Sequence, residues 1–312
     1  MLSRRLLRVK VIKALYAHIQ SQTDNLQTSK KNLVLSVDKA YELFFQMSAL
    51  APELAKYAEE RQEIARNKKL PTHEDLNPNR KFVENKAIER IAGCSEINDF
   101  TSGHGLGWEK YPELIKSLYA KLAATDKFKL YMDAPQRSFK EDVKLLTDFY
   151  TEELQNDELL DQVLEEQSIM WTDDLGSAVM LFVRMLTSAS EKQEGLKVPP
   201  KYKNSDDAEF ALALFEKAAM QFDRNRALID RLTSNWDVER IAFMDIVIMA
   251  VALTELKEFP SIPVKVTLDE YIEISKYYST PNSSVFINGI LDKAVETLQA
   301  EGEIHKAGRG LI

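Results

Sequence analysis

Residues 234–256 read SNWDVERIAFMDIVIMAVALTEL. Ser234 or Asn235 suits a helix cap, because a short side-chain oxygen there accepts from a backbone N–H that the first turn leaves unpaired. Asp237 and Glu239 favour the same turn through the helix dipole. From Ile241 onward, Phe243, Met244, Ile246, Val247, Ile248, Met249, Val251 and Leu253 cover nearly every side. A helix with no polar face needs other helices all round it, so this stretch predicts the central member of a bundle. Asp245 and Arg240 are its polar exceptions. A buried Asp requires donors or a cation, so Asp245 reads either as an acid facing a partner or as an internal cap or ion pair.

The flanking sequence supplies the helices that would surround it. Phe259-Pro260-Ser261-Ile262-Pro263 is a stiff connection, and Pro263 suits a first helical turn. Val264, Leu268, Tyr271, Ser275 and Tyr278 then share one face, and the Ser279–Ser283 run ends that helix. The last helix is expected to turn Val285, Phe286, Ile290, Leu291, Ala294 and Leu298 inward. Gly289 inside it costs roughly 1 kcal/mol against Ala, a cost that close approach of a neighbouring helix would offset. Upstream, residues 206–233 carry Phe210, Leu214, Ala218, Phe222 and Leu228 on one stripe.

At the other end, residues 5–21 predict a helix with Val11, Ile12, Leu15 and Ile19 in one arc and Lys10, Lys13, Ala17 and Gln20 opposite. Arg4 and Arg8 extend the apolar arc, where a charge must project beyond the body, pair with an acid or meet an anion. Between lie helical stretches at 31–67, 80–91, 111–132, 138–154 and 158–190. Pro52 interrupts the first of these, and loops are expected at 21–29, 68–80, 93–107 and 195–200. Gly103-His104-Gly105-Leu106-Gly107 reads as a turn rather than a phosphate loop, since no strand precedes it and no Gly-Lys-Ser/Thr follows. Trp108 and Trp171 are expected in the core or at helix joints.

Composition agrees with an all-α chain. The 312 residues include only 10 Gly and 10 Pro, and 45% are apolar. That is enough for a packed core and too few turn residues for a sheet-rich protein. The single Cys94 excludes an intramolecular disulfide and a paired-thiol site, so a cytoplasmic location is the simplest expectation. Cys94 itself reads as a small half-buried residue near a helix end. No apolar run reaches the ~20 residues that span a bilayer. Four scattered histidines have no ligand spacing, so neither a metal nor another cofactor is expected. Charge is uneven: residues 1–23 hold five cations and no acid, whereas the whole chain sums to −8. A basic segment on an acidic body suits local docking of a phosphate-rich strand rather than general coating of nucleic acid.

Several motifs together resemble one family. They are Ser3-Arg4-Arg5-x-x-Arg8 followed by Ala14-Leu15-Tyr16, Asn235-Trp236-x-x-x-Arg240-Ile241-x-x-x-Asp245, Ile262-Pro263-x-x-Val266-x-x-x-Glu270-Tyr271-Ile272-Glu273-Ile274-Ser275-Lys276, and Phe286-Ile287-Asn288-Gly289-Ile290-Leu291-Asp292. In this order they resemble the NusB family of transcription antitermination factors over residues 1–22 and about 210–300. The resemblance implies an all-α, non-enzymatic RNA-binding protein that pairs with the ribosomal protein NusE on boxA-type single-stranded RNA, within the transcription elongation complex, and supports ribosomal RNA synthesis. It places Arg4, Arg5, Arg8, Tyr16, Lys276, Asn282 and Ser283 at the RNA, and Asp245, Phe286 and Asn288 toward a partner. Arginines frequent in the family's central helix are replaced here by Ile246 and Ala250.

The expected organisation is a basic opening helix at 1–23, a helical insertion at 24–200 and the closing bundle at 201–312. A helical scaffold whose RNA face is reduced is the alternative, favoured by those two replacements and by the acidic balance. An RNA cytosine methyltransferase carrying a NusB-like domain would need a glycine-rich cofactor turn on a sheet, which no segment supplies. Homo-oligomerisation is left open.

Overall fold

A computed structural model describes residues 1–22, 25–193, 195–233 and 241–311. Among these there is no strand, and the chain is all-α. It divides into two compact units. Unit 1 holds residues 38–201 with Met1; unit 2 holds residues 2–37 and 202–311. Unit 2 therefore takes in more of the N-terminal region than the opening segment read from sequence.

Unit 2 is built on α1 (Arg4–Gln20), the first part of α2 (Leu26–Ser48), α12 (Ser205–Met220), α13 (Phe222–Leu232), α14 (Phe243–Glu258), α15 (Val264–Tyr278) and α16 (Ser283–Ala300). The helix α14 touches α1, α12, α13, α15 and α16. Every residue from Asp245 to Leu256 is buried, as an all-round apolar helix requires. It opens at Phe243, with Ala242 in the cap position, because Ile241 and Ala242 are already non-helical. The expected opening over Ser234–Arg240, with Ser234 or Asn235 as cap and with Trp236, lies outside the described residues.

The closing helix buries Ile290, Leu291, Ala294 and Leu298 as expected and departs only at its start. Ser283 is held at its first position, which turns Ile287 inward and leaves Val285 77% exposed. Gly289 is exposed, with open space where a Cβ would stand, so no close helix approach accounts for it.

Unit 1 contains the rest of α2, α3 (Leu50–Arg66), α4 (His73–Leu76), α5 (Lys86–Ala92), α6 (Ser95–His104), α7 (Pro112–Ala124), α8 (Asp126–Asp133), α9 (Phe139–Glu152), α10 (Glu158–Gln167) and α11 (Leu175–Ser188). α9 packs on α11, α5 and α8, and α3 on α5 and α7. The break near Pro52 falls at Ala49, with Pro52 inside the first turn of α3, where its missing N–H costs nothing. The expected 93–107 loop is mostly α6. Its glycines end the helix, with Gly105 in the left-handed cap position at φ 62°. Cys94 is half-buried at the cap position of α6. Trp108 and Trp171 are buried, their indole N–H groups donating to the carbonyls of Gln46 and Lys39.

Unit 1 also buries a cation. Lys81 Nζ donates to the carbonyls of Tyr131 (2.6 Å), Ala134 (2.8 Å) and Gln136 (2.8 Å). Beside it the Tyr131 hydroxyl donates to Asp142 Oδ1 at 2.6 Å, and Asp142 Oδ2 accepts from the Lys86 N–H at 2.8 Å. Burial first, and then the Asp142 carboxylate, hold the Tyr131 phenol far above its ordinary pKa.

Candidate nucleic-acid interface

The three arginines of α1 have different surroundings. Arg8 is 2% exposed. Its Nε and Nη2 donate to Glu255 Oε2 and Oε1, both at 2.8 Å. Glu255, fully buried in α14, also accepts from Thr267 Oγ1 at 2.9 Å and Tyr271 OH at 3.0 Å. The carboxylate is thus met on both oxygens by charged and neutral donors, the condition under which a buried ion pair holds. Burial alone would ease proton loss from Arg8, and the paired carboxylate more than reverses it, raising its pKa. Burial and the Glu255 charge together raise Tyr271. The expectation that Arg8 contacts RNA is therefore corrected: its guanidinium ties α1 to α14 inside the bundle.

Arg4 and Arg5 are on the surface. Arg4 Nε donates to Asp207 Oδ1 at 2.7 Å, with the arginine side chain 40% exposed. Arg5 donates to Glu270 through Nε (2.9 Å) and Nη2 (3.0 Å), and is 50% exposed. Glu270 Oε2 also lies 3.7 Å from Arg8 Nη1. The hydrogen bonds to Glu270 raise the Arg5 pKa.

Further along, α1 and α15 run parallel, since Arg5 meets Glu270 and Lys13 lies 5.2 Å from the centre of the Tyr278 ring. Tyr16 is half-buried with its ring edge-on to Phe243 at 5.4 Å. At about 1.5 Å per residue, Tyr16 lies roughly 18 Å along the helix from Arg4. Lys276 is exposed and paired with Glu273, and Tyr277 beside it is 80% exposed.

The acid of the central helix is internal. Asp245 is buried and accepts from the Ser279 hydroxyl on one oxygen and from Ser283 Oγ, at 2.8 Å, on the other. It fastens the start of α14 to the turn between α15 and α16. Two expectations are corrected by this contact: Asp245 does not face a partner, and the buried Ser283 does not face RNA. Asn282 is exposed next to it. On α16, Phe286 is half-buried, and Asn288 is exposed with its amide donating to Asp292 one turn on, at 3.2 Å.

The structure thus sorts the sequence-derived residues into two ends of one bundle. Arg4 and Arg5 share one end with Asp207 and Glu270. Tyr16 shares the other with Phe243. The acids Asp207 and Glu255 escaped the sequence reading, and Glu270 entered it only within a motif, not as an arginine's partner. Glu255 had a readable signal, a charge in the last turns of an otherwise apolar helix, matching an arginine on the apolar arc of α1. Among the described residues no group of His, Cys, Asp and Glu could hold a metal ion, and no helix is long and apolar enough to cross a membrane.

Comparison with known proteins bears on the same bundle. A profile of the NusB family matches residues 177–296. The transcription antitermination protein NusB of Salinibacter ruber is 40% identical over 104 residues, 33% of this chain and 65% of that protein. The C-terminal part of the chain is thus similar to the NusB family. NusB of Chloroherpeton thalassium is 42% identical over 84 residues, covering 27% of this chain and 40% of its own length. For NusB of Gloeobacter violaceus the figures are 37% over 92 residues, 30% and 44%. The chain therefore spans between two fifths and about two thirds of these NusB relatives. No solved structure matches. In NusB-family terms, α14 is the central helix and α16 carries the Phe286–Asp292 motif, whereas α1 lies outside the matched span.

Proposed function

We propose that this protein is a non-enzymatic, cytoplasmic transcription antitermination factor that binds boxA-type single-stranded RNA together with NusE. One observation carries the reading: packed against the bundle that is similar to NusB, α1 presents Arg4 and Arg5, two half-exposed guanidinium groups on adjacent residues. Arginine forks match phosphate geometry, and exposed aromatic faces such as Tyr277 suit stacking of unpaired bases. Arg4, Arg5 and Lys276 would hold the strand's backbone, and Tyr16 and Asn282 would border it. NusE would dock by the exposed part of α16 around Phe286 and Asn288. Arg8, Asp245 and Ser283 support this surface from within.

The test is fluorescence anisotropy with a boxA-type RNA oligonucleotide and a scrambled one, with and without NusE. The expected result is weak binding alone and tighter, sequence-dependent binding with NusE. Arg4→Ala with Arg5→Ala should weaken binding and flatten its salt dependence by about 0.7 in log–log slope per lost phosphate contact, with helical content unchanged. Equal affinity for the scrambled strand in the presence of NusE would refute the reading.

A helical scaffold is the second reading. It is favoured by the pairing of all three α1 arginines with acids and by the charge of unit 1, which holds the chain's whole net −8. Unchanged RNA binding in the arginine variant would support it.

A further inference from the structure

We propose that Asp207 and Glu270 are carboxylate competitors that occupy the side edges of Arg4 and Arg5 and offset their charge, so that RNA phosphates contend with them for these guanidinium groups and bind more weakly than they would in their absence. The inference rests on the RNA-binding reading and deepens it. A guanidinium offers two two-pronged edges, the side one (Nε with Nη2) and the end one (Nη1 with Nη2), and either fits a carboxylate or a phosphate. In Arg5 both prongs are on Glu270, and in Arg4 the Nε prong is on Asp207. A phosphate arriving at Arg5 finds the side edge taken and only the end edge open, on a guanidinium whose charge Glu270 already offsets.

Three features make the exchange open at Arg4 and Arg5 and closed at Arg8. The side chains of Arg4 and Arg5 are 40% and 50% exposed against acids that are 9% and 21% exposed, so a strand can reach the arginine side of each pair. Arg8 is buried against a carboxylate that three side chains hold, which no strand reaches. Finally, Glu270 already lies 3.7 Å from Arg8 Nη1. On leaving Arg5 it keeps a cation beside it, so its release does not strand a charge. The acid is thus placed between a fixed arginine and an exchangeable one.

The experiment is RNA titration at several salt concentrations for the full chain, with the boxA-type oligonucleotide and NusE, comparing Glu270→Gln, Asp207→Asn and the double variant. Asp269→Asn is the control. Asp269 is exposed on α15 next to Glu270, so it changes net charge equally without uncovering an arginine. Thermal melts verify that each variant is folded. Glu270→Gln should bind about two- to five-fold tighter, the equilibrium equivalent of removing one exposed ion pair, Asp207→Asn should also bind tighter, and the double variant tighter still with a steeper salt slope. The control should match the parent protein. An equal gain in the control would reduce the effect to overall charge and overturn the proposal. Unchanged or weaker binding in both acid variants would also overturn it, showing that the acids orient the arginines instead of competing. If Arg4→Ala with Arg5→Ala leaves binding intact, the RNA interface itself is lost. If that variant weakens binding while the acid variants do nothing, the interface stands and only the competition falls.

Discussion

Each unit buries a cation, and the two solve the problem with different partners. In unit 2 Arg8 meets a carboxylate that comes from another helix 247 residues away. In unit 1 Lys81 meets three peptide carbonyls drawn from a single short stretch, Tyr131 to Gln136. The first arrangement places two opposite charges in the interior, and each depends on the other. The second places one charge there and satisfies it with dipoles that are present whatever side chains the stretch carries. A charge–charge solution is therefore fragile to a change on either partner, whereas a charge–dipole solution is fragile on the lysine side alone.

Breaking that contrast should give its largest effect at Glu255. Glu255→Ala leaves the Arg8 guanidinium buried without its carboxylate, and urea denaturation should report a loss of about 3–5 kcal/mol. Lys81→Met should cost less, about 1–3 kcal/mol, because it leaves neutral carbonyls unpaired rather than a charge. A loss at Lys81 equal to that at Glu255 would erase the distinction between the two solutions. The smallest change sharpens it from outside. Arg80 holds Glu59 at 2.6 Å and Glu84 at 3.2 Å on the surface of unit 1. Arg80→Met should shift stability by less than about 1 kcal/mol, since exposed pairs are solvated either way.

The bundle around α14 was legible because its signal is local. Twelve consecutive buried residues leave a helix no solvent face, and periodicity records that directly. The outline of α1 was legible for the same reason. α6 was not, because glycines that cap a helix in the left-handed conformation have the same composition as glycines in a loop. The first turn of α16, where Ile287 rather than Val285 turns inward, was missed because it depends on Ser283 reaching Asp245, 38 residues away. The site shows the same limit. A charge on the apolar arc of α1 announced that Arg8 needed a partner. Whether that partner was a nucleic acid or Glu255 was a question about a distant residue, and the two arginines beside it proved different in burial despite sharing one motif.

The Arg8–Glu255 pair has a consequence for where this domain begins and ends. The segment similar to NusB starts at residue 177 and omits α1 entirely. A fragment cut to that span would carry Glu255 with no guanidinium to neutralise it, and α14 with one flank stripped bare. Homology delimits this module in one place and packing in another: its compact unit is discontinuous along the polypeptide, closed by residues 2–37 from the opposite end.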